Sequence, residues 1–220
     1  MKAIKLLVIA AVLAISAPAF SQGVEFGVKA GVNLASASIK VSGEKADDVK
    51  MKPGLNIGVF ADFNFTDLLG LETGLQFEQM GYKLKEENQG ITGNDKVNLN
   101  YLTIPVNLRL NLPVGDNKLY FLAGPTLGIG LSGKEKIEYE GSYNGMSAKQ
   151  MGLDDVDEDI EFGDDGIKRM NLGLLFGAGF ELSSNLGIRV SYDHGLSNLT
   201  DAEDSSFKTN AFGVAVTFKF

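Results

Sequence analysis

In eight stretches of this chain, large apolar residues occupy every second position, and glycine or polar residues occupy the positions between. In the last stretch, residues 210–220, Phe212, Val214, Val216, Phe218 and Phe220 share one parity. Ala211, Gly213, Ala215, Thr217 and Lys219 share the other. Successive side chains of a β-strand point to opposite faces, so each stretch is a two-faced ribbon. The pattern recurs around residues 26–34, 55–65, 71–77, 102–110, 119–129, 170–180 and 186–192. These stretches run to about 9 to 14 residues, close to what a tilted strand needs to cross a bilayer.

A soluble barrel would alternate in the same way, so the sidedness rests on where the small residues fall. Gly27, Gly31, Gly58, Gly74, Gly124, Gly128, Gly173, Gly177, Gly179 and Gly213 all lie on the parity opposite the apolar one. An eight-stranded barrel is only wide enough for side chains to fill it, so glycine belongs inside and the bulky residues outside. That outer surface would aggregate in water, whereas lipid is its natural solvent. The expected fold is an all-β, eight-stranded antiparallel up-and-down transmembrane β-barrel.

The ends of the chain and its composition agree with that reading. Lys2 and Lys5 precede an apolar run over residues 6–15, and small-x-small cleavage patterns occur at Ala17-Pro18-Ala19 and at Ala19-Phe20-Ser21. Residues 1–21 thus read as a secretory signal peptide, leaving 22–220 as the barrel domain. Cysteine is absent, which excludes a disulfide scaffold and a thiolate metal site. Removing Lys2 and Lys5 takes the net charge from −8 to −10, which argues against a nucleic-acid partner. Without a helix-length apolar run beyond the signal, a membrane protein of this sequence must be a closed barrel, because lipid cannot satisfy an open strand edge.

Short turns at 66–70, 113–117 and 183–185 alternate with long polar connections at 35–53, 81–96, 132–168 and 197–206. An up-and-down barrel has turns at one rim and loops at the other; in outer-membrane barrels the turns are periplasmic. The localisation expected is therefore the outer membrane of a Gram-negative bacterium. Near the turn end the inward parity carries a lumen charge network of Glu25, Glu72, Arg109, Glu181, Arg189 and Lys219, among other inward charges that include Lys29, Asp62, Glu78 and Asp193. Glu72 is expected beside Arg109, Glu181 across the turn from Arg189, and Glu25 beside Lys219, because buried charges must be paired. On the outward parity, Phe26, Phe63, Phe65, Phe121, Phe180, Phe218 and Phe220 map to the turn end as a periplasmic aromatic girdle.

Between residues 132 and 168 lie eleven acidic residues and four lysines, a net of −7. Asp155, Asp157, Asp159 and Glu161 have the spacing of a calcium loop, but Ile160 and Gly166 stand where such a loop needs glycine and glutamate. The stretch reads as a solvated loop without a metal. The single histidine, His194, lies next to Asp193 on a strand, so the two face opposite ways. Two positions beyond it stands Leu196 rather than a serine. No nucleophile, base and oxyanion donor assemble, so no enzyme and no cofactor are expected.

Three stretches resemble the PorT-like outer-membrane β-barrel family of Bacteroidota: Leu75-Gln76-Phe77-Glu78-Gln79-Met80-Gly81-Tyr82-Lys83, Asn100-Tyr101-Leu102-Thr103-Ile104-Pro105-Val106-Asn107-Leu108-Arg109 and Leu122-Ala123-Gly124-Pro125-Thr126-Leu127-Gly128-Ile129-Gly130. The resemblance spans 23–220 and implies an eight-stranded barrel ending in Phe220, of the kind the barrel-insertion machinery recognises. It implies no shared catalytic residues. The expected role is structural or surface-interacting, through the long extracellular loops. A narrow pore or an accessory component of transport or secretion is the alternative, and a lipid-modifying hydrolase a third. The expected partners are outer-membrane lipid and lipopolysaccharide, the insertion machinery through Phe220, and an unidentified extracellular or envelope protein at the loops.

Overall fold

The computed structural model describes residues 23–46, 49–88, 90–163, 166–202 and 204–220; the expected signal peptide and its cleavage sites lie outside the described residues. Eight strands form the barrel: β1 (Val24–Val41), β2 (Lys52–Asn64), β3 (Leu69–Asn88), β4 (Ile91–Val114), β5 (Asn117–Tyr143), β6 (Met170–Glu181), β7 (Leu186–Gly195) and β8 (Ser206–Lys219). Every strand pairs antiparallel with its sequence neighbour, and β1 pairs with β8, Val32 lying opposite Val214, so the sheet closes into a ring. Closure removes the unpaired edge that lipid would not tolerate.

The outward parity is apolar and exposed, with Val32, Ile188 and Val216 more than half accessible, whereas Ala35, Ala211 and Ala215 on the inward parity are buried. The band from Phe212 to Phe220, at about 3.3 Å per residue and a tilt near 40°, is roughly 20 Å tall, close to the ~25 Å band of such barrels. Inside, large rings are accommodated by missing side chains at the paired position of the neighbouring strand, Gly179 lying opposite Tyr120 and Gly27 opposite Phe60. A Cβ on Gly179 would overlap the Tyr120 ring, and one on Gly27 would overlap the Phe60 ring.

The turn rim is tight. Thr66 Oγ1 accepts from the backbone N–H of Leu68 and Leu69, while Gly115 and Asn185 take the left-handed conformation, with φ of 61° and 66°, that their hairpins require. The opposite rim differs from the sequence expectation. Residues 81–96 are not a loop: β3 and β4 continue as paired strands, with Lys83 opposite Lys96 and Asn88 opposite Ile91. The stretch 132–168 is also largely ordered by pairing. β5 runs on to Tyr143, and Val156–Ile160 pairs antiparallel with residues 133–137. Asp157, in the acidic run, bridges Lys134 at 2.8 Å and Lys136 at 3.0 Å. These extensions have water on their outer face and a mixed inner one, where Asp95 and Glu135 stand beside the buried Val97 and Leu99, so a regular apolar alternation does not mark them.

A plugged lumen beneath an extracellular cup

At the turn end of the lumen each of the eight strands contributes one side chain to a single cluster. Asp62 (β2), Glu72 (β3), Arg109 (β4), Tyr120 (β5), Arg189 (β7), Glu181 (β6) and Lys219 (β8) are all buried, and Glu25 (β1) closes the cluster at the rim. Arg109 Nη1 lies 3.0 Å from Asp62 and 3.2 Å from Glu72, and its Nη2 lies 3.0 Å from Glu181. Arg189 grips Glu72 with both Nη atoms, at 2.8 and 2.5 Å. That planar, two-point pairing is the strongest form a guanidinium offers a carboxylate. Lys219 Nζ lies 2.8 Å from each of Glu25, Asp62 and Glu181. Tyr120 joins the two arginines: Arg109 stacks over its ring at 3.8 Å, and Arg189 Nε donates to its hydroxyl at 3.1 Å.

Two of the expected pairs, Glu72 with Arg109 and Glu25 with Lys219, are thus in contact. Glu181 and Arg189 are not partners. In the ladder Glu181 lies opposite Gly187 and Arg189 opposite Gly179, one step further from the turn. Arg189 instead crosses the narrow lumen to Glu72, and Glu181 turns to Arg109 and Lys219. Asp62, an inward charge without an assigned partner in the sequence, lies between Arg109 and Lys219. Tyr120 shows in the sequence only as an inward aromatic residue. Higher in the lumen, Asn56 donates to Glu78 at 2.8 Å and to Asn33 at 3.2 Å. The girdle phenylalanines line the outer face of the same end; Phe218 and Phe220 meet edge to face at 5.9 Å, and the Phe220 N–H donates to the Phe26 carbonyl.

Above the polar cluster the interior becomes apolar. Met80, Val97, Leu99, Tyr101, Leu199 and Phe207 are buried together, with Ile160, Phe162 and Ile167 packed on them from the third connection. Here the pairing of β4 with β5 slips by one residue, Tyr101 facing Gly130 while Asn100 faces Ser132. The extra residue reverses the parity of β5, so that Gly133 and Glu135 face inward where Leu131 faces out. A cup of about 400 Å³ opens above this seal, walled by Ile39, Tyr82, Val97, Ile160, Ile167 and Phe207 with Glu135 at its side. Asp95, well beyond the apolar band on β4, is held by burial, and then by the nearby charges of Glu135 and Glu86, at a pKa pushed up to about 6.

A carboxyl whose folded pKa exceeds its unfolded value of about 3.9 binds its proton more tightly in the native state. Its stabilising effect is present below about pH 4 and is lost as pH rises through 6. Amide exchange in the strand extensions 83–96 and 133–143, corrected for intrinsic rates, is therefore expected to be slower at pH 5 than at pH 7.5. Asp95→Asn is expected to remove that difference; an unchanged pH dependence in this variant would contradict the assignment.

The sequence matches the outer membrane protein beta-barrel domain description over residues 20–201, most of the chain. The chain belongs to that family. Membership places this beta-barrel domain in the Gram-negative outer membrane; in barrels of that membrane the short turns are periplasmic and the longer connections extracellular. No curated protein matches the sequence. Among solved structures the beta-barrel domain is similar to Neisserial surface protein A (TM-score 0.45, 15% identity, 90% of this chain and 100% of that one). It is also similar to OprG from Pseudomonas aeruginosa (0.44, 13%, 90% and 96%) and to the outer membrane enzyme PagL (0.44, 11%, 86% and 98%).

Proposed function

We propose that this outer-membrane barrel is a non-conducting, non-enzymatic protein with a structural or surface-interacting role, exerted through the strand extensions and cup outside the membrane. One observation carries the reading: the cluster of Arg109, Arg189, Lys219, Asp62, Glu72 and Glu181 fills the lumen with groups that neutralise one another. An ion would have to pass through this buried, mutually paired cluster, which leaves it no wet channel at that level. The phenylalanine girdle serves as the periplasmic anchor, and Phe220 as the signal for insertion. The three sequence runs that resemble PorT-like barrels support a place in that branch.

Planar bilayers containing the purified protein test the proposal. The expected result is no stepwise current at either polarity. Sustained single-channel steps from the folded protein would sink it in favour of a narrow pore.

A further inference from the structure

Just above the lipid-facing band, on the outer face of β1, β8 and β7, is a groove unlike the rest of the barrel wall. Ser36, Asn210 and His194 are direct neighbours across three strands and so share the outward face. One step higher Ser38 lies opposite Lys208, and beyond that Lys40 lies opposite Lys45 of the short hairpin after β1. A groove of about 340 Å³ is lined at its base by Leu34, Tyr192 and Phe212, with Met51 at its flank, and further up by Ser38, His194 and Lys45. Lys40, Lys45 and Lys208 make no ion pair among the described residues, although the protein as a whole carries a net charge of −8. Cations without an ion pair among the described residues, gathered on one patch of wall and directly above residues that face lipid, complement an anionic headgroup.

We propose that this groove binds a phosphorylated lipid of the outer leaflet, its acyl chains against Leu34, Tyr192 and Phe212 and its phosphate held by Lys45 and Lys208. Ser38 and Asn210 offer hydrogen-bonding groups to the headgroup beside them. The lysine stems are long enough to bend toward the headgroup layer while their amines stay hydrated. A lipid is favoured over a free anion because the base of the groove is continuous with the apolar belt. A free phosphate would leave that base uncovered by anything but bilayer chains. The proposal is independent of the closed-lumen reading, since it concerns the outside of the wall.

Native mass spectrometry of the detergent-solubilised protein tests it, with bisphosphorylated lipid A and fully dephosphorylated lipid A of the same acyl composition as probes. The phosphorylated form is expected to be retained at one per barrel and bound at least about tenfold more tightly. The double variant Lys45→Gln, Lys208→Gln is expected to lose about thirtyfold in affinity, from two lysines near an anionic surface. Lys149→Gln, exposed on the third connection beyond the end of β5 and outside the groove, is expected to leave binding unchanged; heat-modifiable migration on gels verifies that each variant is folded. Equal binding of the two lipids, or an unaffected double variant, would overturn the proposal. So would full displacement of the lipid by millimolar inorganic phosphate, which would identify a simple anion site.

Discussion

Replacing Glu72 by alanine is expected to lower the unfolding free energy by about 3–5 kcal/mol, the loss seen when one partner of a buried ion pair is removed. Glu72 is fully buried and is the carboxylate that both Arg189 and Arg109 reach. Neither guanidinium can shed its charge, since arginine stays protonated at any accessible pH. Without Glu72, Arg189 retains only the Tyr120 hydroxyl as a hydrogen-bond partner among the described residues, while Arg109 still has Asp62 and Glu181. Glu72→Gln keeps the volume and is expected to recover only a small part of the loss, because the missing quantity is charge. Replacing Glu72 and Arg189 together by methionine is expected to recover most of it. Urea unfolding in phospholipid vesicles measures all three. A loss below about 1 kcal/mol for Glu72→Ala, the scale of an exposed pair, would show that the cluster is hydrated and loosely coupled.

The second large effect is expected at the other end of the lumen. Leu199 is fully buried and lies at a crossing of two connections: its N–H donates to the Phe207 carbonyl, and its carbonyl accepts from the Lys168 N–H. Leu199→Ala is expected to cost about 2–5 kcal/mol of local stability, because β1, β4 and β8 hold the surrounding walls and the void cannot collapse. The loss is local in character. Amide protection is expected to fall in 156–168 and 197–206 while the eight-strand ring keeps its protection, since that ring rests on hydrogen bonds the substitution does not touch. Hydrogen exchange read by mass spectrometry separates the outcomes. Uniform loss of protection through the whole barrel would mean that seal and ring unfold as one unit. No loss in either connection would mean that Leu199 does not anchor them.

The contrast between these two sites reflects what could be read from one residue to the next. The alternation in 210–220 identifies β8, its lipid face and its lumen face directly, because face is decided by position parity alone. Arg109 and Glu72 could be paired in the sequence because they lie on consecutive strands at the same rim. Arg189 and Glu72 could not be, since they are separated by three strands on one way round the ring and contact each other only across its lumen. Asp62 illustrates the same limit: it is visibly inward, but its two cationic partners lie on β4 and β8. The extension of β3 and β4 past Gly81 escaped detection for another reason. With water on the outside of the hairpin and a partly polar interior, selection for alternating hydrophobicity lapses, though the backbone pairing continues through Asn88 and Ile91.

By itself the sequence determined the strand number, the up-and-down order, the gathering of the short turns at one rim and which parity meets lipid. These follow from a period of two and from the small room available inside eight strands, both local quantities. Only the tertiary structure decided which charges meet in the lumen, where β5 changes parity at its bulge, and how the connections fold down to seal the mouth. Those features depend on the stagger of the closed ring, which sets the height of each residue against strands far from it in sequence. Stagger is a property of the whole sheet, so no single strand records it.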